Sequence, residues 1–188
     1  MPARARLEAG VDAHGARLVL DQPTDDDVDA ITDHCQDPAV QAWTVVPAPY
    51  ERQHAVDFVA AVENGWGSGA ELTWAIRLDG ALVGMIGLRT QPVRSAEIGY
   101  WLASEARGRG VMHRAVVAVV DHAFDPDGLG LDRLEWRAFH GNEASRRVAE
   151  RAGFRVEGLV RGEGLQRGVR RDSWVGTLLR TDPRLLTA

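Results

Sequence analysis

The stretch Arg107-Gly108-Arg109-Gly110-Val111-Met112 combines residue types that suit phosphate binding. It lies between an apolar run that ends in Tyr100-Trp101-Leu102 and a run with helical spacing that opens at Gly110. Glycine lets the backbone approach a ligand closely, the first N–H groups of a helix lack internal partners, and arginine supplies positive charge. We therefore predict a phosphate or pyrophosphate site where a strand passes into a helix.

The composition argues against several other classes of site. The net charge of -5 disfavours a general nucleic-acid binder, and the chain contains no lysine, which a Walker-type phosphate loop requires. A dinucleotide fingerprint would need a glycine where His113 stands. Cys35 is the single cysteine and the histidines are scattered, so we expect no metal site. No segment is long and apolar enough to cross a bilayer, and we expect a cytoplasmic protein.

The pattern of the first half predicts two helices and then a meander of strands. Residues 1–15 show no strong period and are expected to form a loose arm, followed by a strand over residues 17–20. Thr24 opens a helix with Val28, Ile31 and Cys35 on its apolar face, ended by Pro38, and a second helix runs over residues 51–63. Between them, residues 43–50 form a proline-containing loop. Asp79-Gly80 predicts a hairpin between residues 72–77 and 81–88, with a third strand over residues 96–102.

The second half alternates helices and strands. A helix over residues 110–124 leads to a strand over residues 131–139, which the crossover makes parallel to the strand before the helix. Asn142 caps a helix that ends near Arg151, and two closing strands over residues 154–160 and 172–179 flank an arginine-rich loop over residues 161–171. This order predicts one α+β domain over residues 1–188.

Several motifs in this order resemble the GNAT acyltransferase superfamily, and more narrowly its RimJ/RimL-type protein N-acetyltransferases. The family pattern R/Q-x-x-G-x-G/A is met at Arg107 and Gly110, whereas Met112 departs from it at the last position. The resemblance spans residues 17–179 and rests on Glu97-Ile98-Gly99-Tyr100-Trp101-Leu102, on the stretch from Arg107 to Met112, on Asn142-Glu143-Ala144-Ser145, and on Gly153-Phe154 with Glu157-Gly158.

The resemblance implies a GNAT fold: a mixed, mostly antiparallel sheet flanked by helices, with strands splayed at the acyl-CoA site. It implies transfer of an acetyl group from acetyl-CoA to a protein N-terminal amine or a small-molecule amine, and a homodimer is plausible on the same ground. The residues implied to contact coenzyme A are Leu102, Arg107, Gly108, Arg109, Gly110, Val111, Met112, Asn142, Ser145 and Arg146. Among them, the Leu102 N–H would hydrogen-bond the oxyanion.

The catalytic side chains are less closely matched. Where many relatives carry a tyrosine on the helix after Asn142, this chain has Ala149, and the serine proposed instead in RimL-like proteins matches Ser145. The loop glutamate of those proteins aligns beside Glu163, and Glu97 is an equal candidate for the base.

Trp43 and Tyr50 are expected to line the acceptor pocket. The missing tyrosine leaves open a module that binds acyl-CoA without chemistry. The arginines of residues 161–171 also leave open a longer acyl donor such as succinyl-CoA.

Overall fold

Eight strands, five α-helices and two short 3-10 helices, Asp25–Asp27 and Ser104–Ala106, account for the regular structure of residues 5–183, the part of the chain that the computed structural model describes. The helices are α1 (Val28–His34), α2 (Pro38–Trp43), α3 (Arg52–Ser68), α4 (Val111–Phe124) and α5 (Glu143–Arg151). The strands are β1 (Leu7–Val11), β2 (Arg17–Asp21), β3 (Glu71–Leu78), β4 (Ala81–Gln91), β5 (Ser95–Leu102), β6 (Arg133–Phe139), β7 (Arg155–Gln166) and β8 (Val169–Leu179).

The strands form one open sheet in the order β1-β2-β3-β4-β5-β6-β8-β7. Neighbouring strands are antiparallel except β5 and β6, which are parallel because α4 carries the chain back between them. The predicted mixed, mostly antiparallel sheet is therefore confirmed.

Helices cover both faces of the sheet and bury two apolar clusters. The larger cluster joins Trp74, Ile86 and Ile98 of the sheet to Val116 and Val119 of α4. The smaller cluster lies where α1 and the first half of α3 meet the opposite face, around Ile31, Val59 and Met85. Within residues 5–183 no helix is both long and apolar enough to cross a membrane.

The sheet divides between β5 and β6. Their pairing runs only from Ser95 opposite Arg133 to Ile98 opposite Trp136. Beyond that point β5 stays paired with β4 as far as Leu102, and β6 stays paired with β8 as far as Phe139. The two central strands therefore separate into a V, as expected for splayed strands. Three residues connect the end of β6 to the start of α5, which lies at the mouth of the V.

The ends of the chain are more regular than predicted. Residues 7–11, expected to belong to a loose arm, pair with β2 as the edge strand β1, while residues 1–4 of that arm lie outside the described residues. The expected loop over residues 161–171 is instead the far half of the β7–β8 hairpin. Its turn is formed by Arg167 and Gly168, with φ of 46° and 82°, and a bulge between Val160 and Gly164 interrupts the alternation that a strand prediction needs.

Two helices also differ from their predicted extents. α3 continues through the glycine-containing residues 64–68 and stops at Gly69, whose φ of 73° provides a left-handed C-cap. Pro38 opens α2 rather than only ending the helix before it, because Asp37 caps the new helix by accepting the Ala39 N–H at 2.7 Å.

A buried ion pair fastens the start of α1 to the sheet. The Arg77 guanidinium on β3 donates to both carboxylate oxygens of Asp27 at 2.8 Å and to Asp21 at 2.6 Å. Burial alone would raise the pKa of Asp27, but hydrogen bonds from Arg77 and Thr24 outweigh it and hold that pKa below the usual 3.8. This pair therefore stabilises the fold above the unfolded pKa, and its contribution is lost as pH falls through the folded pKa.

We expect Asp27→Asn to lower the free energy of unfolding near neutral pH by about 3 kcal/mol, because Arg77 would keep its buried charge without its principal partner. The loss should begin to shrink below the usual pKa of 3.8, because protonation of Asp27 in the unfolded chain then reduces the stability of the wild type. Urea unfolding from pH 3 to pH 7 measures both effects. The neighbouring, exposed Asp26→Asn is the matched control, and equal losses in the two variants would contradict the assignment.

Candidate active site

A cleft of about 440 Å³ opens where β5 and β6 separate. Its walls come from α2, the end of β5, the loop that precedes α4, and α5. A smaller hollow of about 50 Å³ lies at the gap between the strands, lined by Gly99, Arg137 and Asn142 among others. Trp43, Tyr100 and Ser145 line both spaces, so the two meet along these side chains.

The stretch from Arg107 to Met112 forms one end of the cleft. Gly108 and Gly110 have φ of 75° and 77°, a left-handed conformation that glycine adopts without strain. Gly110 is the N-cap of α4, makes no side-chain cap hydrogen bond, and is followed by a first turn without acidic residues. The amino end of this long helix, where its dipole is positive, therefore faces the cleft, and Gly110 provides no side-chain acceptor for the first N–H groups. This arrangement binds anions.

The guanidinium groups of Arg107 and Arg109 are engaged in holding this loop. Arg107 donates to the Leu102 carbonyl at 2.9 Å and 3.1 Å and to Asp37, the cap of α2, at 2.7 Å. Arg109 lies 2.5 Å from the fully buried carboxylate of Asp12 in the turn after β1.

Three arginines of α5 differ in what they contact. Arg146 lies over the Trp174 ring at 4.9 Å and pairs with Glu150 at 2.9 Å, so its charge faces the sheet and its own helix. Arg147 and Arg151 instead line the cleft. No carboxylate among the described residues forms an ion pair with either, and both side chains are exposed.

Ser145 is held at the mouth of the V by contacts from both separated strands. Its N–H is capped by Asn142 Oδ1 at 3.1 Å. Its hydroxyl oxygen accepts the Trp136 Nε1–H of β6 at 3.1 Å and donates to the Tyr100 hydroxyl of β5 at 3.1 Å. The Tyr100 hydroxyl in turn donates to the Ser145 carbonyl at 3.1 Å. Burial raises the pKa of Tyr100 to about 12, so its hydroxyl stays protonated at neutral pH.

The backbone of Leu102 is oriented toward the cleft. The Ala103 N–H donates to the Val83 carbonyl of β4 at 2.8 Å. Because consecutive N–H groups of a strand point in opposite directions, the Leu102 N–H points away from β4 and into the gap.

The two candidate bases meet at one arginine. Arg137 of β6 pairs with Glu163 of β7, lies 3.7 Å from Glu97 of β5, and donates to Glu135 at 2.7 Å. Burial alone would raise the pKa of Glu135, but hydrogen bonds from Arg133 and Arg137 keep it below its usual value. Glu97 and Glu163 therefore lie on one face of the sheet with a cation between them, and neither lines the cleft or the smaller hollow.

The two expected acceptor-pocket aromatics are separated. Trp43 of α2 lines both the cleft and the smaller hollow. Tyr50 is only 6% exposed, packs in the smaller apolar cluster, and meets the His54 ring at 5.4 Å. Among residues 5–183 no three histidine, cysteine or acidic side chains converge on a position that could hold a metal ion.

Several cleft side chains were not singled out by the sequence, among them Tyr100, Arg137, Arg147 and Arg151. Arg147 and Arg151 are spaced four apart on α5, the interval that puts two side chains on one helix face, so their periodicity was available as a signal. Tyr100 and Arg137 carry no comparable signal, because their roles depend on which strands separate.

The fold and this cleft define the class. Residues 17–155 match the family model described as the acetyltransferase (GNAT) domain, and the chain belongs to that family. The match confirms the resemblance seen in the motifs. Mycobacterium smegmatis RimJ in complex with CoA-disulfide has the same fold, with a TM-score of 0.85 at 23% identity, covering 94% of this chain and 88% of that one.

Relatives from other bacteria fall in the same group. Bacillus subtilis YdaF, provisionally named a ribosomal N-acetyltransferase, is 41% identical over 106 residues, 55% of this chain and 57% of that protein. Bacillus subtilis YoaA, an uncharacterised N-acetyltransferase, is 29% identical over 168 residues, 87% of this chain and 94% of that protein. The Escherichia coli ribosomal-protein-serine acetyltransferase is 34% identical over 82 residues, 43% of this chain and 45% of its own length. The chain thus aligns with about half the length of two of these three relatives.

We expect Gly110→Ala to weaken binding of coenzyme A and to lower the free energy of unfolding by about 1–2 kcal/mol, because alanine disfavours the left-handed φ of this N-cap. No atom lies within 4 Å of the added methyl, so steric overlap is not the cause. Calorimetric titration with coenzyme A and urea unfolding measure the two effects.

Gly67→Ala, inside α3 with equally open space, is the control and should bind coenzyme A as the wild type does while gaining stability. Unchanged affinity of Gly110→Ala for coenzyme A would contradict the expectation that the left-handed loop conformation is needed for binding.

Proposed function

We propose that this chain is a cytoplasmic, acetyl-CoA-dependent N-acetyltransferase that acts on the amine of a protein N-terminus or of a small molecule. The observation that carries this proposal is the uncapped amino end of α4 opening into the cleft at the V between β5 and β6. Family membership supports the activity. The names of YdaF and of the Escherichia coli relative support a protein amine as the acceptor.

The donor fits the cleft from the amino end of α4 to the gap between the strands. The backbone N–H groups from Arg107 to Met112 would bind the pyrophosphate, and the geometry of Gly108 and Gly110 keeps this backbone accessible. Arg147 and Arg151 supply the side-chain charge at this surface, whereas Arg107 and Arg109 contribute by fixing the loop. Asn142 orders the first turn of α5 beside the expected path of the pantetheine arm.

In the reaction the amine nitrogen forms a bond to the thioester carbon, the carbon–sulfur bond breaks, and the amine loses one proton. The Leu102 N–H points into the gap and would hydrogen-bond the developing oxyanion. Ser145 lies beside the same space and would interact with the departing thiolate. A thiolate of parent pKa about 8.5 is a good leaving group that needs a hydrogen bond rather than a strong acid.

For the amine proton, Glu163 and Glu97 remain the two candidate acceptors, because both lie beside Arg137 at the gap. Trp43 would bound the path by which the amine reaches them. Arg137 competes for both carboxylates, so the incoming amine would have to share or displace that contact.

Thiol release tests the activity. We expect the protein to release free thiol from acetyl-CoA in the presence of an amine panel that includes peptides with free amino termini, and no thiol with the same peptides blocked at the amino terminus. Glu163→Gln and Glu97→Gln should each be assayed. Replacing the carboxylate that accepts the proton should lower kcat by about 100-fold or more. Absence of thiol release across the panel would contradict the proposed activity.

A non-catalytic acyl-CoA-binding module is the second candidate, and the ion pairs of Arg137 favour it because they occupy both carboxylates. Tight acetyl-CoA binding with no turnover, unchanged in Glu163→Gln and Glu97→Gln, would identify this function instead. Replacing acetyl-CoA by succinyl-CoA in the same assay decides whether a longer acyl donor is used.

We expect the double variant Arg147→Gln/Arg151→Gln to raise the Kd for coenzyme A by about tenfold and to reduce the dependence of Kd on salt, because it removes two cationic side chains from the phosphate end of the cleft. Arg146→Gln is the comparison on the same helix. It should change Kd less, since the Arg146 guanidinium lies over Trp174 and pairs with Glu150. A larger effect from Arg146→Gln would reverse this assignment.

A further inference from the structure

We propose that Tyr100 is a positioning residue that polarises the Ser145 hydroxyl toward the thiolate of coenzyme A, by moving its own hydrogen bond from the Ser145 carbonyl to the Ser145 hydroxyl oxygen. The inference rests on the proposed function in one respect, namely that the thiolate of the donor lies beside Ser145.

Three elements contribute to the contact. Tyr100 is on β5, Trp136 is on β6 and Ser145 is in the first turn of α5. Trp136 lies opposite Ile98 at the last paired position of β5 and β6, and Tyr100 lies two residues beyond Ile98. Both residues are therefore at the place where the two strands separate. Ser145 bridges the two side chains at 3.1 Å on each side.

One of the two arrangements of these hydroxyl protons leaves Ser145 without a proton for the cleft. The Trp136 Nε1–H can only donate, so it occupies an acceptor site of Ser145 Oγ and cannot accept the serine proton. That proton is directed to the Tyr100 hydroxyl, whose own proton is directed to the Ser145 carbonyl. A thiolate in the cleft would therefore find Ser145 committed elsewhere.

One hydroxyl rotation changes this arrangement. The Tyr100 oxygen lies 3.1 Å from both the carbonyl oxygen and the hydroxyl oxygen of Ser145, so the phenol can donate to either without moving its ring. When it donates to Ser145 Oγ, the serine proton is free to point at the sulfur. The thiolate then receives a hydrogen bond from a chain of two hydroxyls and one indole N–H, each polarising the next.

No net proton transfer is needed in this step. The pKa of Tyr100 is raised to about 12 by burial, well above the value of about 8.5 for a free thiol. The phenol therefore remains a donor while the sulfur stays an anion. The thiolate takes its proton from water after release, and the proton lost by the amine leaves through the base.

The first experiment needs no turnover and compares coenzyme A with an analogue in which hydrogen replaces the thiol. Calorimetry at pH 6.5 and pH 9.0 gives the ratio of the two Kd values at each pH. A hydrogen bond to a charged group typically gains about tenfold in affinity, so we expect the protein to prefer the thiolate over the thiol by that factor. The preference of the wild type for coenzyme A over the analogue should therefore be several-fold larger at pH 9.0 than at pH 6.5. Tyr100→Phe should reduce this pH dependence, because Ser145 could still donate to the sulfur but its oxygen would receive a hydrogen bond from Trp136 alone.

Ser95→Ala is the matched control, because it removes another part-buried hydroxyl from the same strand, one that donates to the Pro92 carbonyl. It should retain the wild-type pH dependence. Ser145→Ala should lose it altogether, and Tyr100→Phe/Ser145→Ala should lose no more than Ser145→Ala. A wild type without the pH dependence, or a Tyr100→Phe variant that keeps it in full while Ser145→Ala loses it, would overturn the proposal.

Turnover gives the second readout. Tyr100→Phe should lower kcat for acetyl transfer by about tenfold with the KM for acetyl-CoA unchanged, since the contact forms only when the sulfur becomes anionic. An equal change in KM without a change in kcat would overturn the proposal. A wild type that keeps the thiol-dependent pH effect but acetylates no amine would contradict the proposed function and leave the role of Tyr100 supported.

Discussion

The site depends on the end of pairing between β5 and β6. After Ile98 and Trp136 the two strands no longer share hydrogen bonds, although each remains paired with its outer neighbour. N–H and C=O groups that would be hydrogen-bonded between β5 and β6 in a continuous sheet thereby point into a cleft between these two strands. The Leu102 N–H, the hollow beside Gly99 and the approach of α5 all follow from that one interruption.

The arginines differ in whether another residue of the chain holds them. Arg107, which also lines the cleft, links the end of β5 to α2, and Arg109 links the loop to the buried Asp12. Arg137, beside the smaller hollow, pairs with carboxylates of neighbouring strands. Arg147 and Arg151 have no such partners among residues 5–183. In a chain with no lysine, every one of these positions uses the same side chain, so residue type alone does not distinguish structural positive charge from charge that faces a ligand.

The sequence predicted the elements whose patterns are local. The Asp79-Gly80 hairpin, the helix after Gly110, the parallel strand after it and the Asn142 cap each follow from neighbouring residues, and all are present. β1 was not predicted, because an edge strand with one partner has weak alternation, and its bulge near Val11 weakens it further. The far half of β7 and β8 was hidden by a bulge and by exposed arginines.

The candidate site was predictable in its backbone and less so in its side chains. Glycines with positive φ and an uncapped helix start follow from the sequence around Gly110. What Arg107 and Arg109 contact does not, because their partners Asp37 and Asp12 are distant in the chain. The burial of Tyr50 likewise depends on how α3 packs against the sheet.

The β7–β8 hairpin has one contact whose consequence reaches the opposite end of the chain. The Gln166 amide donates to the carbonyls of Gln41, Ala42 and Thr44 at 3.2, 2.9 and 2.7 Å, and so terminates a helix of six residues that is too short to persist alone. Gln166 leaves the ribosome more than 120 residues after the helix that it completes. One wall of the substrate cleft therefore gains its closing contacts only after the β7–β8 hairpin has been synthesised.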